Sequence, residues 1–161
     1  MIASIRVSIV SLSILFLAGL ACRPPSRSSA DATAGIDSLN ARLIQSFRRH
    51  APQAYAAVFT DSAVFEWPAF NMVRGRAALA EMAQSNWAAL KHMDLRLIVA
   101  NRRFAPDHAT EFGAFEQTCS DSGRGRMTEF GRYVAVLVRQ GNDTWLMDRF
   151  FGFEDSTRRR P

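Results

Sequence analysis

Cysteine is scarce in this chain, with Cys22 and Cys119 the two present among 161 residues. If Cys22 is consumed by modification near the start, no disulfide can form within the chain, and a hydrophobic core has to hold the fold. Cys119 reads as structural, because no activating His neighbour accompanies it. Histidine is scarce as well. His50, His92 and His108 fall on separate predicted elements with no two ligands at close spacing, so no metal site is expected, and an exposed or structural role is the reading for each. Residues 123–125, Gly-Arg-Gly, join two predicted strands and lack the following helix of a phosphate-binding loop. A nucleophile elbow, an internal repeat and a low-complexity block are also missing. The formal charge of +5 comes partly from Arg6 and from the terminal run Arg158, Arg159 and Arg160. No basic patch interleaved with aromatics accompanies it, which argues against nucleic acid as a partner. No cofactor is expected.

The chain opens on a targeting segment, residues 1–22. Arg6 precedes an apolar run over residues 7–21 that is too short for a confident membrane span. The run ends in Gly19, Leu20, Ala21 and Cys22, which resembles a bacterial lipobox with Cys22 as the lipidated residue. The resemblance implies a lipoprotein in the cell envelope or periplasm, touching the membrane through a lipid anchor only. Gly19 stands where that motif usually has Leu, and the small residues Gly19 and Ala21 also suit ordinary signal cleavage and secretion. Residues 23–35, rich in Pro, Ser and Ala, read as a flexible tether. Residues 36–154 are left for one domain, and 155–161 for a basic disordered tail. Apolar residues make up 48% of the chain, enough for a core of ordinary size.

Within the domain, Ile36, Leu39, Leu43, Ile44 and Phe47 recur at helical spacing, and the basic group after them suits the negative pole of the helix. Pro52 fits the first turn of a short second helix whose apolar face is Tyr55, Val58 and Phe59. Residues 63–67 read as a strand closed by Pro68. A third helix carries Leu79, Met82, Ala83, Asn86 and Leu90 on one face, Asn86 being a polar residue suited to a cavity or to an exposed edge. Alternation of Leu95, Leu97 and Val99 with their neighbours predicts a half-buried strand, and another strand spans residues 109–119. Residues 133–139 and the stretch after the turn at 140–143 form a long hairpin, its turn supplied with Gly141 and Asn142. Helices grouped before a meander predict an α+β domain with helices on one side of a curved sheet.

The order of helix, short helix, VFTDSAVFEWP, VRGRAALAEM and GRYVAVLVRQGNDTWLMDRF resembles the SnoaL-like branch of the nuclear-transport-factor-2-like superfamily, over residues 36–153. The resemblance implies a cone: a curved antiparallel or mixed sheet wrapped around three N-terminal helices, with an internal cavity and frequent dimerisation through the outer sheet face. Members of that superfamily differ in activity, so the fold leaves function open. Placed on the pattern of its ketosteroid isomerases, the catalytic base falls on Trp67, the helix-one Tyr on Leu43 and the hydrogen-bonding Asp on Ala135. None of these side chains can do that chemistry.

In the same registration Tyr133, Ala135 and Leu137 point inward from one hairpin strand, and Leu146, Asp148 and Phe150 from the other. Together with Leu43, Tyr55 and Trp67 they are the expected lining of the cavity. Asp148 is the candidate catalytic residue, a carboxylate among apolar neighbours, with a salt bridge or a buried hydroxyl as its structural alternative. Glu66 is expected to face out. Glu111 and Glu116 have opposite parity, and neither receives a register. Val134, Val136, Val138, Trp145 and Met147 form the expected outer face, which suits a homodimer. The favoured function is non-catalytic binding of a small apolar or aromatic molecule. The alternatives are a lyase-, isomerase- or hydrolase-type enzyme using Asp148 as acid or base, and an interaction module using the outer sheet face.

Overall fold

A computed structural model of the chain describes residues 29–67, 72–121, 125–141 and 143–160. Helix α1 (Ser29–Arg48) is followed by the short α2 (Pro52–Ala56), strands β1 (Phe59–Glu66) and β2 (Val73–Arg74), and helix α3 (Arg76–Trp87). Four long strands complete the domain: β3 (Leu90–Phe104), β4 (His108–Asp121), β5 (Gly125–Arg139) and β6 (Trp145–Arg160). The expected α+β cone is the fold observed. One six-stranded sheet in the order β2-β1-β6-β5-β4-β3 curves around the helices. It is mixed, because β1 runs parallel to β6 while every other pair is antiparallel.

The core follows from the apolar periods. Ile36, Leu39, Leu43 and Phe47 are the buried stripe of α1, and they meet the inner residues of the sheet, Met93, Leu95, Phe115, Tyr133, Ala135 and Leu137. Pro52 stands in the first turn of α2, as its missing N–H predicts. The start of α3 is fastened to β1 by Arg76, whose Nε and Nη2 donate to the Phe59 carbonyl at 2.9 and 2.6 Å.

Element bounds differ from the sequence reading in several places: α3 ends at Trp87, so Leu90, read as part of its apolar face, opens β3 instead, and β5 begins at Gly125. Strand β1 begins at Phe59 rather than at Ala63, since residues 59–62 join the sheet where turn-forming side chains suggest a break. Helix α1 begins at Ser29, so residues 29–35, read as tether, are helical, with Ala32 buried in the core. Strand β6 continues to Arg160, pairing residues 156–160 with residues 126–130 of β5 where a disordered tail is expected. The targeting segment and residues 23–28 lie outside the described residues.

The decisive irregularity is in β6. Val136 pairs with Arg149 but Leu137 pairs with Met147, which leaves Asp148 as an extra, bulged residue. A bulge reverses the alternation of faces. Trp145 and Met147 are therefore buried on the inner side before it, and Phe150 after it. This corrects the expected orientation of Leu146, Trp145 and Met147, whose faces are exchanged. Leu146 lies half-buried beside Val138, on the opposite side from the core.

Candidate functional site

Between the helices and the sheet lies a cavity of about 400 Å³. One wall, from the three helices and the start of β1, is an aromatic group in which Phe47, Tyr55, Phe59 and Trp87 meet edge to face or tilted, with ring centroids 5.0–5.7 Å apart. Its sheet wall is laid out differently. The rings of Phe65, Trp67 and Phe150 are nearly parallel, within 8° of one another, and Phe115 tilts against Trp67 at 4.8 Å. Glycine makes this wall possible. A side-chain carbon at Gly152 would collide with the Trp67 ring, so the bare backbone there allows the indole to lie flat on β6.

Four polar residues join this lining. Tyr55 is buried, and its hydroxyl takes no protein partner among the described residues; burial holds its pKa above the ordinary range. Asn86 reaches the cavity from the exposed side of α3. Gln117 of β4 and Glu129 of β5 are paired across the sheet in register, and Gln117 Nε2 donates to Glu129 Oε2 at 3.3 Å. Burial raises the pKa of Glu129, and repulsion from Glu154 adds to the effect, while Arg159 acts in the opposite direction. Cys119 also lines the cavity, its thiol pKa raised by burial and then by Glu129.

A second carboxylate, Glu111, is fully buried next to the inner side of α1. Asn40 Nδ2 donates to its two oxygens at 3.0 and 3.2 Å, Tyr133 Oη donates at 2.8 Å and Arg102 Nε at 2.6 Å. Arg102 also pairs with Asp37 at 2.6 Å, which joins α1 to β3 through the same guanidinium. Gly113 gives room for this arrangement, since an added side-chain carbon would lie 2.6 Å from the Tyr133 ring. All four acceptor contacts of Glu111 are satisfied within the fold, so it is a structural anchor.

The sequence-derived candidates are distributed unevenly about this site. Leu43, Tyr55, Trp67 and Phe150 line the cavity. Tyr133, Ala135 and Leu137 are buried in the core beyond its lining, Tyr133 stacking on Phe150 at 5.6 Å. Leu146 is on the other side of the sheet. Asp148 does not line the cavity either: Thr60 Oγ1 donates to it at 2.8 Å and Arg149 Nη1 lies 2.9 Å from its other oxygen. Glu66 is exposed, and Glu116 is half-buried on the side of β4 away from Glu111. His92 and His108 are exposed, His108 lying against Asp107, and His50 caps the turn after α1 with a positive φ of 48°. No group of three or more metal-ligating side chains comes together among the described residues.

Glu129 and Gln117 escaped notice in the sequence, though a signal existed. Counting back in twos from Tyr133 through Gly131 leads to Glu129 on the same inward row, and Gln117 is its cross-strand partner.

A curved mixed sheet around N-terminal helices, with an aromatic-walled cavity between them, defines a class of α+β cone domains. Within that class, the SnoaL-like domain family matches residues 28–150, and the chain belongs to it. No curated protein matches it in sequence. Solved structures share the fold. A scytalone dehydratase candidate from Novosphingobium aromaticivorans has a TM-score of 0.75 at 12% identity, over 83% of this chain and 90% of its own. A type-3 hexachlorocyclohexane dehydrochlorinase from Novosphingobium barchaimii gives 0.70 at 13%, over 83% and 94%. A ketosteroid isomerase-like protein from Erwinia carotovora atroseptica gives 0.66 at 21%, over 76% and 95%.

Proposed function

We propose that this domain binds a small apolar or aromatic molecule in its cavity, without catalysis. The observation that carries the reading is the cavity of about 400 Å³ walled by two groups of aromatic rings. A space of that size lies within the range for small-molecule sites, where apolar walls supply affinity and a few polar groups fix orientation. Trp67 and Trp87 report on occupancy directly. Titration with a naphthalene-sized probe is expected to quench tryptophan fluorescence saturably and at one site; unchanged fluorescence together with no heat of binding would sink the reading. The enzyme alternative draws on the activities named for dehydratase, isomerase and dehydrochlorinase neighbours, but Asp148, its intended acid or base, is engaged by Thr60 and Arg149.

A homodimer through the outer sheet face accompanies this reading. Ile98, Phe112 and Phe153 are exposed there, and Val134, Val136 and Val138 are half-buried beside them. Sedimentation equilibrium is expected to give a dimer that Val136→Asp dissociates; a monomeric wild-type protein would leave this face to another partner, as in the interaction-module alternative. The same proposal includes export and a lipid on Cys22, tested by mass spectrometry of the N-terminal peptide from the mature protein.

A further inference from the structure

We infer that the cavity selects a cationic ligand: an apolar or aromatic molecule carrying a protonated amine, with Glu129 as its counter-ion. The inference rests on the small-molecule reading above and adds the charge of the ligand to it.

Three observations support it. First, among the described residues the lining includes Glu129 but no Arg, Lys or His, so the formally charged side chain that they turn toward the ligand is a carboxylate. Second, Glu129 is under-satisfied. Gln117 donates to Oε2 at 3.3 Å, a long contact, and Oε1 takes no protein hydrogen bond among the described residues. Glu111 in the same fold shows the contrast, with three donors making four hydrogen bonds to its two oxygens. Third, the surrounding walls are aromatic, and ring faces attract an organic cation while leaving an anion without compensation. A carboxylate half removed from water gains most from a partner that brings its own positive charge and N–H donors.

The groups facing Glu129 define how this depends on pH. Cys119 approaches from β4, and Glu154 and Arg159 act on it from β6. Lining residues from α1, α2, α3 and β3 are uncharged. Burial and Glu154 both favour the protonated carboxyl, so the preference for a cation is expected to be present at neutral and alkaline pH and to fade as pH falls through the raised pKa.

The test is isothermal titration of the purified protein with 2-naphthylmethylamine, 2-naphthylmethanol and 2-naphthoate, which share a ring system and differ in charge. At neutral pH the amine is expected to bind at least about tenfold tighter than the alcohol, and the naphthoate weakest. Glu129→Gln, which keeps the shape and removes the charge, is expected to bind the amine and the alcohol within about twofold of each other. Equal affinity for amine and alcohol in the wild-type protein overturns the inference while leaving the binding reading in place. So does an amine preference that survives Glu129→Gln. Preference for the naphthoate also overturns it and assigns control of the site to Arg159. Failure of all three probes to bind overturns the small-molecule reading itself, and the inference with it.

Discussion

Glu111 and Glu129 occupy neighbouring strands and turn toward the same interior, yet one is closed off by the fold and the other is left open. Glu111 is inaccessible and takes hydrogen bonds from Asn40, Tyr133 and Arg102, residues drawn from α1, β5 and β3. Glu129 lines the cavity and is held by Gln117 through one oxygen. A buried carboxylate is tolerated where donors surround it, and removal of one partner then exposes the full cost of desolvation. An under-satisfied carboxylate beside an open cavity carries less structural duty, which leaves it available to a ligand. The end of the cone at Glu111 is thus built for stability, and on the proposed reading the end at Glu129 serves recognition.

The contrast can be broken by mutation. The largest effect is expected from Arg102→Ala, which strands Glu111 in the core and severs the link to Asp37; urea denaturation should show a loss of about 3–5 kcal/mol. A loss below about 1 kcal/mol would mean that the closed end is not an anchor. Trp67→Ala should cost about 3 kcal/mol, toward the low end for a large aromatic because one side of the ring meets the cavity, and it should also weaken binding of a naphthyl probe.

Glu129→Gln should change stability much less, and in the opposite direction. The pKa of Glu129 is raised in the folded state by burial and by Glu154. Its contribution is therefore fully present below the unfolded carboxyl value and is lost as pH rises through the raised folded value. The Gln variant, neutral throughout, should melt slightly higher than wild type at neutral pH and no higher in acid, as calorimetry across pH can show. The smallest effect belongs to the surface pair Arg48 and Asp94, 2.6 Å apart. The hydrogen bond from Arg48 holds the Asp94 pKa low, so the pair's contribution is present above the unfolded Asp value and lost as pH falls through the lowered one. Arg48→Ala should cost no more than about 1 kcal/mol at neutral pH.

Much of the fold was legible in the sequence, because its elements follow simple periods. Ile36, Leu39, Leu43 and Phe47 mark the buried stripe of α1 at helical spacing, and residues 133–139 mark a strand of the hairpin. The site was harder to read, for a physical reason. Alternation assigns faces only while the register is unbroken, and the bulge at Asp148 shifts it by one residue. That single shift turned Asp148 and Leu146 inward on paper and Trp145 and Met147 outward. Glu111 was hidden differently. Both rows of β4 mix polar and apolar residues, so burial of Glu111 depends on Asn40 and Arg102, partners far away in sequence or on another strand. In β5 the row through Tyr133 runs without interruption to Glu129, and that carboxylate could have been placed from alternation alone.

The most direct test follows the side-chain carboxyl signals of Glu111 and Glu129 by ¹³C NMR while the protein is titrated with 2-naphthylmethylamine. The expected result is a saturable shift of the Glu129 signal with the Glu111 signal unmoved; a shift at Glu111 with none at Glu129 would contradict the division between a closed, structural end and an open, ligand-binding one.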